Sequence, residues 1–330
     1  MHRILFAAAL VALGAMLPAA VQPRRTPVIL DSDIGTDIDD TWALAYLLRC
    51  PELDLKLVVS DTGDTRYRAK LLAKTLQAAG RTDVPVGVGQ DFAPMDPAAM
   101  NLAPWVADYA LERYPGKVFA DGIGAMIDVI MKSDAPVTLI AIGPVPNIAA
   151  ALQREPRIAA KCRFVGMHGS FDVGYGNKPP AAAEYNVKAD VSGLRATLAA
   201  PWRDVLLTPL DTCGQVMLDG ARYQAIVAGA ARDPLLRAVM ESYRTFAPRV
   251  QWMKCDFVET HSTTLFDCVA VYLACSEELV EVESLHVGLT DEGLTVRAPG
   301  GPPARVALRW KNLAAFEDQL VGRLTPRPGG

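Results

Sequence analysis

Short apolar segments rich in β-branched residues alternate with helical patterns along most of the chain. The apolar segments predict strands at residues 28–30, 55–59, 84–88, 137–142, 163–167 and 205–207. The helical patterns lie between or after them, at residues 40–49, 65–79, 122–132, 147–152, 191–198, 222–231 and 235–246. This alternation is typical of βαβ units and predicts a parallel sheet.

The predicted fold is therefore α/β, with a Rossmann-like open, mostly parallel sheet flanked by helices. Near the C-terminus, two extended segments within 283–309 surround a turn at 291–293 and a Gly/Pro-rich stretch at 299–303, which predicts a small peripheral hairpin. Residues 91–105, rich in Pro, Ala and Met, predict a mobile loop or lid over the sheet edge. No repeat or linker divides the chain, so we expect a single domain over residues 21–330.

The N-terminus has the pattern of an export signal. His2 and Arg3 precede an apolar run at 4–17, and small residues at 18–20 suit cleavage. We therefore expect residues 1–20 to be a signal peptide and the protein to be periplasmic or secreted. The apolar run is shorter than the roughly 20 residues of a spanning helix, so we expect no membrane association after signal removal.

The composition favours a small-molecule partner. At 330 residues and 51% hydrophobic content, the chain can bury a large core. The net charge is -4, and the Lys and Arg residues are scattered and form no basic cluster, so we expect no nucleic-acid partner. The six cysteines lack both metal-ligand spacing and the density of a disulfide scaffold, which predicts mostly buried thiols.

An acidic loop directly follows the first predicted strand. Residues 31–40 contain five aspartates, namely Asp31, Asp33, Asp37, Asp39 and Asp40. Such a loop between a buried strand and a helix lies at the carboxyl edge of a parallel sheet, where open α/β folds keep their sites. Because so many carboxylates repel one another, we expect a cation there, and oxygen ligands suit Ca²⁺ or Mg²⁺. The simpler alternative is a solvated loop in which Asp39 or Asp40 only caps the helix.

Further polar motifs follow other predicted strands, in a definite order. They are Ser60 to Asp64, Gly143 to Asn147, Met167 to Ser170, Gly176 and Asn177 with Glu184 to Asn186, and a late Asp267. Together with the acidic loop, this ordered set resembles the inosine-uridine-preferring nucleoside hydrolase family over about residues 26–322. That family has an Asp-x-Asp-x-Gly loop ending in Asp-Asp, a Gly-Pro turn ending in Asn, and an Ala-Glu-Phe-Asn segment. The ordered set is more specific than any one motif.

The resemblance implies an activity and a cofactor. It implies Ca²⁺-dependent hydrolysis of the N-glycosidic bond of ribonucleosides, or related N-ribosides, to ribose and free base. The implied Ca²⁺ ligands are the carboxylates of Asp33, Asp40 and Asp267 and the main-chain carbonyl of Pro146. Asp33 is also implied to deprotonate the attacking water. The residues implied to bind ribose hydroxyls are Asp39, Asp64, Asn177, Glu184 and Asn186. The family also favours a homo-oligomer.

The base-binding side of the implied site departs from the family. Many members have His immediately before the late Asp, as an acid for the departing base, whereas this chain has Phe266. Phe266 can stack on a base but cannot protonate it. The residues left as candidate acids are His168, Tyr185, Trp252 and His261, and each of them is equally explained as a structural residue.

The same motifs allow three interpretations other than hydrolysis. A haloacid-dehalogenase-like phosphatase shares the strand followed by Asp-x-Asp-x-Gly-Thr at 31–36, but this chain lacks a convincing late Asp-Asp pair. An exported riboside-binding protein with little turnover would keep the pocket without the acid. An EF-hand loop starting at Asp31 would need Gly and Glu where the chain has Thr36 and Trp42.

Overall fold

A computed structural model describes residues 25–325, so the predicted signal peptide lies outside the described residues. The structure is built on one ten-stranded sheet. Its strands are β1 Thr26–Ser32, β2 Leu53–Ser60, β3 Val86–Val88, β4 Val118–Phe119, β5 Val137–Ala141, β6 Cys162–Met167, β7 Asp204–Thr208, β8 Val280–Leu289, β9 Thr295–Arg297 and β10 Pro303–Trp310. Their spatial order is β4-β3-β2-β1-β5-β6-β7-β10-β8-β9.

Helices cover both faces of the sheet. They are α1 Asp39–Leu48, α2 Thr65–Ala78, α3 Gly122–Lys132, α4 Pro146–Arg154, α5 Ile158–Lys161, α6 Tyr185–Ala189, α7 Val191–Ala199, α8 Leu210–Cys213, α9 Gly220–Ala230, α10 Pro234–Phe246, α11 Phe266–Cys275 and α12 Leu313–Leu324. Within residues 25–325, none of these helices has the length and apolar content that crossing a bilayer requires.

The centre of the sheet is parallel, and its order reverses beside β1. β1 pairs with β2 on one side and with β5 on the other, so that Asp31 lies opposite both Val59 and Ala141. After β1, the chain adds β2 and β3 on one side of β1. It then returns to the other side of β1 and adds β5, β6 and β7. A crevice opens where the strand order reverses, outside the carboxyl ends of the strands. The acidic loop leaves β1 at this crevice.

The C-terminal strands extend the sheet at its edge. β8 and β9 form the expected antiparallel hairpin, and β8 also pairs antiparallel with β10. β10 in turn lies parallel to β7, with Arg305 opposite Leu206, and this pairing joins the hairpin to the main sheet. The mostly parallel α/β sheet flanked by helices that the sequence predicts is therefore confirmed.

The six predicted strands and seven predicted helices are all present, with small differences at their ends. Helix α11 was not predicted. It is apolar almost throughout and buried from Asp267 to Ala274, so its sequence has no polar face to reveal a helical period. α11 packs against α1, and this contact brings the first turns of the two helices together at the crevice.

Candidate active site

Three aspartates from two helices that are far apart in the sequence meet at the crevice. Asp39 and Asp40 lie in the first turn of α1, and Asp267 lies in the first turn of α11. A carboxylate oxygen from each lies within 4.8 Å of the other two, and each side chain is at most 4% exposed. The amide of Asp267 donates a hydrogen bond to Asp39 Oδ2 at 3.3 Å, while Ser32 Oγ donates to Asp40 Oδ1 at 2.7 Å. This group is the carboxylate cluster.

The carboxylate cluster is buried, and its negative charges repel one another because few positive charges lie nearby. Burial, followed by the charges of neighbouring aspartates, raises the pKa of Asp39, Asp40 and Asp267 well above the usual value. Arg68 lowers the pKa of Asp40 only in part. Three oxygen donors at this spacing, with no nitrogen or sulfur donor among the residues of the cluster, fit a hard divalent cation.

Asp33 lies beside the carboxylate cluster, under the turn that follows β5. A side chain added at Gly143 would meet Asp33 Oδ1 at 2.9 Å, so the two residues are in close contact. Burial raises the pKa of Asp33, and the charge of Arg68 opposes that effect. The predicted base Asp33 therefore shares one site with the predicted ligands Asp40 and Asp267. Asp39, predicted to bind ribose, is part of the cluster itself.

A cavity of about 370 Å³ opens above these carboxylates. This volume falls in the range of small-molecule sites, roughly 300–1,000 Å³. One side of the cavity is acidic and another is aromatic. Its lining residues are Asp33, Thr36, Asp37, Asp39, Asp40, Ile142, Met167, Tyr175, Glu184, Tyr185, Asn186, Trp252, Phe266 and Asp267.

Glu184 and Asn186 enter the cavity from the start of α6. Glu184 caps this helix, because its carboxylate accepts the amides of Asn186 at 2.7 Å and Val187 at 3.2 Å. Burial nevertheless raises the pKa of Glu184 to about 7. Asn186 Nδ2 donates to Met167 O at 3.0 Å, which orients the amide group. Both residues, which the resemblance implies to bind ribose hydroxyls, thus line the same cavity as the carboxylates.

The aromatic side of the cavity contains four rings. Phe266 begins α11 and is next to Asp267. Tyr175 meets the Phe266 ring edge-on, with 6.1 Å between centroids, while Tyr185 and Trp252 are each about half exposed. Such a surface can stack against a planar heterocycle. Phe266, which the sequence predicts to contact a base, therefore belongs to this aromatic side of the cavity.

Four predicted site residues lie outside the cavity lining. The carbonyl of Pro146 accepts a hydrogen bond from Gln90 Nε2 at 2.8 Å. Asp64 is exposed and caps α2 through the amide of Tyr67 at 2.8 Å. Asn177 is exposed in a turn, with φ of 56°. His168 is buried, and its Nε2 contacts Gly143 O at 3.1 Å. The structure therefore does not group these four with the carboxylate cluster.

Sequence reasoning missed Arg68, which is 2% exposed on α2. Its guanidinium donates to Ile34 O at 3.0 Å and to Thr36 Oγ1 at 3.1 Å, both in the acidic loop, and to Thr62 O at 2.8 Å. Arg68 therefore fixes the loop and places a positive charge near its carboxylates. The only signal in the sequence is a basic residue on a helix that follows the second strand, and that position is too ordinary to single out.

The fold and the site together define an α/β protein with a cluster of buried carboxylates beneath an aromatic cavity. The chain belongs to the inosine-uridine preferring nucleoside hydrolase family, whose sequence profile matches residues 28–317. It is therefore an N-glycosyl hydrolase, and its family relationship supports ribonucleoside hydrolysis. This assignment argues against the phosphatase alternative, which shares only the first acidic motif.

Individual relatives agree with this assignment. The non-specific ribonucleoside hydrolase RihC of Escherichia coli strain K12 is 31% identical over 231 residues, which are 67% of this chain and 73% of that protein. The plant nucleoside hydrolase PpNRh1 has a similar fold, with a TM-score of 0.74 at 21% identity over 92% of this chain and 100% of that one. A purine-preferring ribonucleoside hydrolase from Gardnerella vaginalis has a TM-score of 0.70 at 20% identity, over 91% and 98% of the two chains.

Proposed function

We propose that this protein is a Ca²⁺-dependent ribonucleoside hydrolase that releases ribose and a free base. The observation that carries the proposal is the convergence of Asp39, Asp40 and Asp267 beneath a cavity with aromatic walls. All three donors are carboxylates, and Ca²⁺ accepts six to eight oxygen ligands in flexible geometry. RihC is named a non-specific ribonucleoside hydrolase, which supports the substrate class.

The side chains divide the chemistry between them. When bound, a divalent cation supplies Lewis acidity and lowers the pKa of a water in its shell. Asp33, in contact with the Gly143 turn and adjacent to the carboxylate cluster, takes the proton from the attacking water. Glu184 and Asn186 hold the ribose hydroxyls, together with the carboxylate oxygen of Asp39 that does not serve the cation. This places C1′ close to that water and lowers the orientational cost of attack. The surrounding carboxylates stabilise positive charge that develops on the sugar.

The proposal is tested by measuring base release from a panel of ribonucleosides and other N-ribosides, with and without EDTA. We expect release that stops on chelation and returns with Ca²⁺. Asp33→Asn and Asp267→Asn should each lower kcat by at least about 100-fold, because they remove a base and a ligand respectively. Asp128→Asn, at an exposed position on α3, is the matched control and should leave kcat unchanged.

Two results would contradict the proposal. Full activity of Asp33→Asn or Asp267→Asn in metal-free buffer would exclude the assigned chemistry. Tight riboside binding without any base released over hours would instead support an exported binding protein.

The proposal includes export and self-association. The N-terminal pattern of His2, Arg3 and the apolar run at 4–17 supports export to the periplasm or the medium, and the family relationship supports a homo-oligomer. Cell fractionation and N-terminal sequencing of the mature chain test the first point. Light scattering on the purified protein tests the second, and a monomer at micromolar concentration would contradict it.

A further inference from the structure

Cleavage of an N-ribosyl bond leaves the bonding electron pair on the base, so a hydrogen-bond donor near the base accelerates departure. The residue before Asp267, which the family resemblance makes a histidine acid in many members, is Phe266 in this chain. A phenyl ring has no proton to donate. A donor from another element must therefore serve the base, or the base must leave without help.

Tyr175 places a phenol, which is a hydrogen-bond donor, beside Phe266 in the cavity. It lies on the turn between Gly174 and Lys178, lines the cavity, and meets the Phe266 ring edge-on at 6.1 Å. Its hydroxyl oxygen accepts the backbone amide of Tyr185 at 2.9 Å, which fixes the oxygen. Among the hydrogen bonds of residues 25–325, none uses the Tyr175 hydroxyl as donor to another side chain or carbonyl. The O–H is thus oriented and available to a ligand.

We infer that Tyr175 is the leaving-group donor of this enzyme, hydrogen-bonded to a ring nitrogen or exocyclic oxygen of the departing base. The inference rests on the proposed hydrolysis. As the C1′–N bond breaks, its electron pair passes to the base and the water oxygen bonds to C1′. The phenol keeps its proton and stabilises the base anion, which is protonated by solvent on release. Asp33 holds the proton removed from water until it returns to solvent.

The Tyr175 phenol stays in the form that donates, although the residue is about half exposed. Desolvation raises the pKa of Tyr175 above its ordinary value, and the nearby carboxylate of Glu184 acts in the same direction. The phenol therefore remains protonated throughout the neutral range. A group of this kind donates a hydrogen bond without giving up its proton, which suits a base that departs as a stabilised anion.

The other candidates are less suited to this role. His168 lies outside the cavity lining with its Nε2 on Gly143 O, and burial lowers the pKa of its ring to about 4, so it is neutral. His261 stacks on Phe257 at 3.9 Å and is also absent from the lining. Tyr185 and Trp252 also line the cavity, but within residues 25–325 no hydrogen bond fixes the Tyr185 hydroxyl or the Trp252 indole N–H, whereas the Tyr175 oxygen is held by the amide of Tyr185.

The experiment compares two kinds of substrate in Tyr175→Phe. Uridine and inosine need help for their departing bases, whereas p-nitrophenyl riboside releases an anion that is stable without a donor. We expect kcat on the nucleosides to fall about 100-fold and kcat on p-nitrophenyl riboside to change less than about threefold. Tyr185→Phe, at the neighbouring cavity tyrosine, is the comparison variant and should affect both substrates to the same extent.

Three outcomes would overturn the inference: no loss on nucleosides, an equal loss on both substrates, or a nucleoside-specific loss in Tyr185→Phe instead. The thermal midpoint and the Ca²⁺-induced shift of Tyr175→Phe are measured in parallel, and a misfolded variant is replaced by Tyr175→Leu, which is apolar and has no hydrogen-bond donor. A wild-type protein that cleaves neither substrate defeats the proposed function itself, and this result is distinct from the failure of Tyr175.

Discussion

At the scale of a residue, burial decides what His168 can do. Its imidazole is 1% exposed, its Nε2 contacts Gly143 O at 3.1 Å, and its Nδ1 has no partner among the described residues. Burial lowers the pKa of this ring to about 4, so the side chain is neutral in the folded protein at pH 7. His168 therefore supports the turn that covers Asp33 and offers no proton to the cavity.

The buried neutral His168 predicts a pH dependence of stability. Its pKa is about 6.5 in the unfolded chain and about 4 in the folded one, so between these values the unfolded state binds the extra proton. The stability due to this group is complete above pH 6.5 and is lost as the pH falls towards 4. His168→Gln removes the titrating group. Between pH 7 and pH 4, we expect the free energy of unfolding of wild type to fall by about 3 kcal/mol more than that of His168→Gln.

Urea unfolding of both proteins at several pH values, in constant Ca²⁺, measures this difference. His286→Gln, at an exposed histidine, is the matched control and should follow wild type. Parallel curves for wild type and His168→Gln would contradict the prediction.

At the scale of elements, helix α2 holds the acidic loop in position. Arg68 and Tyr67 lie on the face of α2 that meets the loop, and the Tyr67 hydroxyl donates to Gly35 O at 3.0 Å. Gly35 has a φ of 108°, and a side chain there would meet Leu71 Cδ1 at 2.3 Å, so only glycine fits this turn. The site is thus positioned by contacts between a loop and a helix that contributes no cavity residue.

Substitution of Arg68 should therefore damage both stability and activity. Arg68→Gln leaves the carbonyls of Ile34 and Thr62 and the hydroxyl of Thr36 without their donor, and we expect a loss of about 3 kcal/mol in unfolding free energy. It should also weaken Ca²⁺ binding, because the loop carrying the ligands is released. Chemical denaturation and calcium titration measure the two effects.

Arg66→Gln is the matched control on the same helix. Arg66 is exposed and pairs only with the exposed Glu112, and such surface pairs contribute about 0–1 kcal/mol. Equal effects of the two substitutions would show that Arg68 has no special role in the loop.

At the scale of the whole molecule, metal binding should be coupled to folding. The three carboxylates of the cluster meet only in the folded chain, so under the proposed function Ca²⁺ should bind the native state in preference to the unfolded one. We expect Ca²⁺ at 100 times its Kd to add about 2.7 kcal/mol to the unfolding free energy and to raise Tm. Calorimetry with Ca²⁺ and with EDTA checks this. The shift should disappear in Asp267→Asn and persist in Asp128→Asn, and a wild-type Tm indifferent to Ca²⁺ would refute the coupling.

Much of the fold could be predicted because its signals are local. The strand ending at Ser32 and the helix starting at Asp39 follow from a buried run, an acidic turn and a helical pattern in adjacent residues. The convergence of Asp40 with Asp267 could be expected only from the family resemblance, because Asp267 begins a helix that follows no strand of the sheet. The membership of Asp39 in the carboxylate cluster could not be predicted, because it depends on the path of a single turn between Asp33 and α1.

The remaining features depend on contacts between distant segments. Tyr175 acquires its position from Phe266 and from the amide of Tyr185, and Arg68 acquires its role from a loop 32 to 34 residues away. Helix α11 cannot be recognised from the sequence, because it is buried on every side and therefore lacks the alternation of polar and apolar residues that marks a surface helix. Each of these features is fixed by tertiary packing, which overrides what a short window of residues can indicate.

The separation of the ligands along the chain has a consequence for assembly. Asp267 follows Asp39 by 228 positions, and α11 carries it to the cluster only by docking against α1. A nascent chain that stops before α11 would contain Asp39 and Asp40 but not Asp267, so its ion-binding site would be incomplete. Calcium binding would then require that α11 has been synthesised and docked, so a shorter nascent chain would be inactive.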